Sequence, residues 1–128
     1  MDLIDTWLRL WNNDLTLAEK IVSPDFVAHA APLVDSGSDE IRGRDGLTEW
    51  IAGTHTTIRD LEFTVAVGPI ADRDFVVVRW HASGTSAVGP VSITGTDILR
   101  LVDGMIVEYW LNADSLQLAR QVGLIPQA

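Results

Sequence analysis

The last third of the chain allows few folds. Val91 to Leu101 reads V-S-I-T-G-T-D-I-L-R-L, an alternating run rich in β-branched residues, which predicts a strand. Val102-Asp103-Gly104-Met105 follows, and Asp-Gly between two such runs signals a tight antiparallel hairpin. Ile106 to Asn112 is then the return strand. Asp114 stands at the N-cap position of a short closing helix, with Gln117 as its capping-box partner and Gly123 and Pro126 to end it.

The front of the chain is helical in pattern. Leu3, Ile4, Trp7, Leu8, Leu10 and Trp11 share a broad apolar face of a first helix that ends near Asn12-Asn13. Thr16-x-x-Glu19 reads as the capping box of a second helix, stopped at Ser23-Pro24. Phe26 to His29 is expected to be a short strand. Ala30 to Arg44, rich in Pro, Gly, Ser and Asp, reads as a long mobile loop of the kind that serves as a lid. A third helix is expected from about Asp45, with Leu47, Trp50, Ile51 and Ile58 facing inward. Leu61 to Val67 and Phe75 to Ser83 are strands around a turn at Ala71-Asp72-Arg73-Asp74, and Gly84 to Pro90 is a flexible connection. Helices followed by antiparallel strands predict one α+β domain over residues 1–128: a curved, cone-shaped sheet around three N-terminal helices, with a short C-terminal helix. The open end of such a cone is a ligand pocket.

Composition narrows the partners. The 128 residues carry a formal charge of −9 and a single lysine, Lys20, so nucleic acid and anionic membranes are not expected partners. Cysteine is absent, and no apolar run approaches the ~20 residues of a membrane span. No signal-peptide pattern precedes the first helix, so a cytoplasmic location is expected. His29, His55 and His81 are scattered without metal-ligand spacing, and no metal site is expected.

Alternation sorts the strand residues by face. Phe75, Val77, Arg79 and His81 share one face of their strand, with Val76, Val78, Trp80 and Ala82 on the other. Asp97 shares a face with Leu99 and Leu101, and Tyr109 shares one with Leu111. Adjacent strands are expected to bring Arg79, His81 and Asp97 together inside the cone as an acid–base site. Against this, Arg79 is equally readable as an outer-face charge, and His81 as a hydrogen-bonded structural histidine. Asp97 in mid-strand points to the pocket, because aspartate is disfavoured there. Trp50 and Trp110 are the tryptophans expected to serve both core and ligand wall. His55 is read as lying on a solvated helix face.

Three stretches resemble the SnoaL-like polyketide cyclases, within the wider fold group of the nuclear transport factor and the ketosteroid isomerases. They are Gly95-x-Asp97-Ile98-Leu99-Arg100, Asp103-Gly104-x-Ile106-x-Glu108-x-Trp110 and Asp114-x-Leu116-x-Leu118-x-x-Gln121-x-Gly123. Trp11-Asn12-Asn13-Asp14-Leu15 and Pro24-Asp25-Phe26-Val27-x-His29 resemble the family's opening helices and first strand. The resemblance implies intramolecular aldol cyclisation of an apolar, polyketide-like substrate without cofactor or metal, and we expect a homodimer through the outer sheet face. It places His29 at the pocket. It also places Leu111 where the family carries its acid–base aspartate, and Asp97 where the family carries a histidine. Leu111 is therefore expected to line the cavity of Asp97. The related limonene-type epoxide hydrolases carry an Arg-x-Asp pair where this chain has Arg79-x-His81. Expected function is thus a cyclase or isomerase, with an epoxide hydrolase or a non-catalytic small-ligand carrier as alternatives.

Overall fold

A computed structural model describes residues 2–30, 40–114 and 119–121. Helix α1 (Leu3–Trp11) is capped by Asp2, whose carboxylate accepts from the Ile4 amide at 2.9 Å. Its buried residues Ile4, Trp7, Leu8 and Trp11 fall at the spacing of one helical face. A 3₁₀ turn (Leu15–Leu17) and the single-turn α2 (Ala18–Ile21) follow. The expected capping box at Thr16 is absent, because the Thr16 hydroxyl bonds the Asp14 carboxylate instead. Strand β1 (Val22–Ala30) is longer than its sequence suggests.

Two other expectations change. Within the stretch read as a loop, Glu40–Arg42 forms a short strand β2 that pairs with β1; residues 31–39 lie outside the described residues. Helix α3 (Gly43–Thr57) leads into β3 (Arg59–Asp72). The supposed connection from Gly84 to Pro90 is mostly sheet, since β4 (Phe75–Ser86) and β5 (Gly89–Val102) pair along their whole length. Only Ala87 and Val88 are left to turn. Between β5 and β6 (Met105–Ala113), Asp103 and Gly104 both take positive φ, 52° and 79°. That is the conformation an Asp-Gly hairpin turn requires. The closing helix is seen only at residues 119–121; the cap at Asp114 and Gln117 falls partly outside the described residues.

The sheet runs β2-β1-β6-β5-β4-β3, antiparallel throughout except for the parallel β1–β6 pair. Its inner face and the helices enclose the core, in which Trp7, Phe26, Leu99, Ile106 and Tyr109 are fully buried. A bulge sets the phase of β6. Leu101 pairs with Ile106 and Arg100 with Glu108, so Val107 is extra, and Ile106 and Tyr109 both face the core. At the other end Asn12 ties α1 to the sheet. Its side chain accepts from the Phe63 amide at 2.7 Å and donates to the Phe63 carbonyl at 3.2 Å. Among the described residues no helix is long and apolar enough to cross a membrane.

Candidate active site

Alternation in β5 turns Val91, Ile93, Gly95, Asp97 and Leu99 inward. Asp97 is 2% exposed, in the wall of a cavity of about 200 Å³ whose other lining is almost wholly apolar. Three neutral donors hold it. Trp80 Nε1 and the Tyr109 hydroxyl donate to Oδ1 at 2.8 and 2.9 Å, and Trp7 Nε1 donates to Oδ2 at 2.9 Å.

Register explains the convergence. Asp97 pairs directly with Val78 on β4 and with Leu111 on β6, so Trp80 and Tyr109 are its diagonal neighbours on the same face. Trp7 reaches it from α1, where its ring meets that of Tyr109 edge-on with centroids 4.9 Å apart. Trp80 also needs the residue it pairs with to be small. A Cβ on Gly95 would stand 2.3 Å from Trp80 Cζ2, so the indole lies flush on the glycine backbone.

Burial, the largest influence, pushes the Asp97 carboxyl up from 3.8 to about 6, and the three hydrogen bonds pull it partly back. Burial and the neighbouring carboxylate push the Tyr109 hydroxyl well above its ordinary value, so it stays a donor. A carboxylate of that affinity in an apolar box can accept a proton near neutral pH and return it.

The expected partners of Asp97 lie elsewhere. Arg79 and His81 are on the opposite face of β4, because it is Val78, not Arg79, that pairs with Asp97. Arg79 bonds the Thr96 hydroxyl at 3.2 Å and the Asp114 carboxylate at 3.3 Å, and Thr94 also donates to Asp114. His81 Nε2 lies 2.7 Å from the Ser92 hydroxyl. The Arg79, His81 and Asp97 grouping is therefore corrected to Asp97 alone. Of the expected ligand-wall residues, Trp50, Tyr109 and Leu111 line the cavity. His29 and Trp110 do not: they stack on each other on the outer face, centroids 5.6 Å apart. There His29 Nε2 pairs with Glu108 at 2.8 Å, and Arg100 holds the other Glu108 oxygen at 3.0 Å. His55 is not simply solvated, since its Nε2 donates to the Trp11 carbonyl at 2.6 Å.

Trp7 and Trp80, which bond Asp97, and Trp11, which lines the cavity, complete the site beyond the expected residues. Trp80 was legible, since the face of β4 that carries it is wholly apolar. Trp7 was not, because nothing local shows that an indole on a helix meets a carboxylate 90 residues away. Among the described residues no cluster of His, Cys, Asp or Glu could hold a metal ion.

A curved sheet closed by helices over an apolar cavity, with Asp97 buried in its wall, is the frame of the candidate site. The SnoaL-like polyketide cyclase model matches residues 1–122, and the chain belongs to that family. No curated protein matches it. Among solved structures it is similar to TsrD from Streptomyces laurentii, at 26% identity and a TM-score of 0.80, covering 96% of this chain and 93% of that one. It is also similar to wild-type IdmH from Streptomyces antibioticus, at 25% identity and a TM-score of 0.80, covering 94% and 95%.

Proposed function

We propose that the protein is a cofactor-independent cyclase or isomerase for a small, largely apolar, polyketide-like substrate, with Asp97 moving the proton. The observation that carries this reading is a carboxylate poised near pH 6 in the wall of an apolar cavity. In the step proposed, the Asp97 carboxylate takes a proton from the carbon next to a carbonyl. The C–H electron pair becomes the enolate. In a cyclisation the enolate carbon bonds to a second carbonyl carbon, whose oxygen takes the proton back from Asp97. In an isomerisation the proton returns to a different carbon. Leu111, directly opposite Asp97, is apolar and adds no competing charge.

A ligand carrier without turnover is the second reading. The three donors already on Asp97 favour it, since they occupy lone pairs that a base must free. Deuterium exchange at the carbon next to the carbonyl of 1-tetralone, followed in D₂O, separates the two. The wild type is expected to accelerate exchange, and Asp97→Asn to lower the rate roughly 10²–10⁴-fold, the usual worth of a general base. No acceleration by the wild type, or an Asn variant as fast as the wild type, leaves the carrier reading.

A further inference from the structure

Asp97 is a buried acid without a countercharge. Aspartate is seldom buried this deeply unless a cation pairs with it, yet the groups that bond it are all neutral, two indoles and a phenol. The arginines of β4 and β5, Arg79 and Arg100, are on the outer face, where Asp114 and Glu108 hold them. Among the described residues no Lys, Arg or His lines the cavity. With its midpoint near 6, the carboxyl is mostly ionised at neutral pH, and the charge stands open to a cation from outside.

The rest of the wall suits the same sign of ligand. Trp11, Trp50, Phe63, Trp80 and Tyr109 all line the cavity. Their rings pack on one another, Trp11 against Trp50 at 4.9 Å and Phe63 against Trp80 at 5.1 Å. Aromatic faces carry negative partial charge and attract cations, those of indole most of all. The formal charge of −9 on the whole chain adds a field that draws cations toward it.

The acceptors left over select the kind of cation. A carboxylate offers about four acceptor sites, and donors from Trp7, Trp80 and Tyr109 already use three. A primary ammonium, with three N–H donors, is left short. A tertiary ammonium needs one acceptor and a quaternary one needs none. A cavity of roughly 150 Å³ takes benzene, so this one, at about 200 Å³, has room for a trimethylammonium group on a short chain.

We propose that the cavity is a binding site for a small tertiary or quaternary ammonium ion, its positive nitrogen set against the Asp97 carboxylate and the aromatic wall. The inference goes beyond the proton-transfer reading and does not depend on it, because Asp97 acts here as a fixed countercharge and not as a base.

The test uses choline and 3,3-dimethylbutan-1-ol, which share a shape and differ in the charge. Titration calorimetry at neutral pH is expected to show choline binding roughly 2- to 30-fold more tightly, the range a cation–π contact spans from exposed to desolvated sites. Asp97→Asn is expected to abolish that preference and to bind the alcohol about as well as the wild type does. In the wild type, choline affinity is expected to rise several-fold from pH 5 to pH 7 as Asp97 loses its proton, and alcohol affinity to stay level. Tyr109, the other titratable group in the wall, keeps its proton throughout. The pH series needs no variant, so it decides the matter even if Asp97→Asn does not fold. Equal affinity for the two compounds, a preference for the alcohol, a preference for choline that survives Asp97→Asn, no rise with pH, or binding of neither overturns the proposal. If choline binds as expected while 1-tetralone shows no exchange, only the proton-transfer reading falls. If exchange is found and choline does not bind, only this inference falls.

Discussion

Asp97 and Glu108 are carboxylates on neighbouring strands of one sheet, and their surroundings drive them in opposite directions. Asp97 faces inward, is buried among indoles, and meets only neutral donors. Glu108 faces outward, half-buried, between the cations of Arg100 and, when protonated, His29. Burial therefore dominates at Asp97 and raises its affinity for a proton, whereas the bond from His29 and the Arg100 guanidinium hold Glu108 below its ordinary 4.5. A carboxylate of raised proton affinity is made here by withholding a countercharge rather than by supplying one. The outer-face cluster, despite its histidine, arginine and glutamate, is the ordinary surface network.

The largest effect that sharpens this contrast is on stability against pH. The raised affinity of Asp97 means that the folded state binds its proton more tightly than the unfolded chain. Its contribution is fully present below pH 3.8, and is lost as pH rises through about 6. A separation of that size is worth about 3 kcal/mol. Denaturant unfolding of the wild type and Asp97→Asn should show the wild type losing about that much relative to the variant between pH 3 and 8. Glu108 works in the opposite sense, with stability lost as pH falls below 4.5, and cancels in this comparison because both proteins carry it. A difference that stays flat across the range would mean that Asp97 ionises freely where it stands.

Gly95→Ala gives a smaller effect on the same group. The added methyl collides with the Trp80 indole and pushes it off the β5 backbone. Overpacking of this kind costs roughly 1–3 kcal/mol. Loss of the Trp80 donor should also raise the Asp97 midpoint further, since that bond favours the charged form. A variant with wild-type stability and an unmoved midpoint would show that Trp80 does not need the glycine.

The sequence read well wherever one strand or helix decides the outcome. Alternation placed Asp97 inward, and the Asp-Gly turn and the pairing of Leu111 with the Asp97 cavity follow from local pattern and resemblance. It failed where two elements must be put in register. Arg79 and His81 are titratable, yet a one-residue step decides which face of β4 meets Asp97, and each step swaps every side chain to the other side. The better guide was apolar continuity: Val76, Val78, Trp80 and Ala82 make an inner face, and a face with Arg79 and His81 makes an outer one. His29, which the resemblance places at the pocket, lies on the outer face instead, since Phe26 and Ala28 are the residues of β1 that reach the core. The contact from Trp7 to Asp97 was beyond local pattern, because it depends on how α1 lies across the sheet.

The most direct test of the account is a titration of the side-chain carboxyl carbons of Asp97 and Glu108 by ¹³C NMR in the wild-type protein. The account predicts a midpoint near 6 for Asp97 and one below 4.5 for Glu108. An Asp97 midpoint at or below 3.8 would contradict it, because the carboxylate would then hold its charge in the cavity too firmly to take a proton near neutral pH.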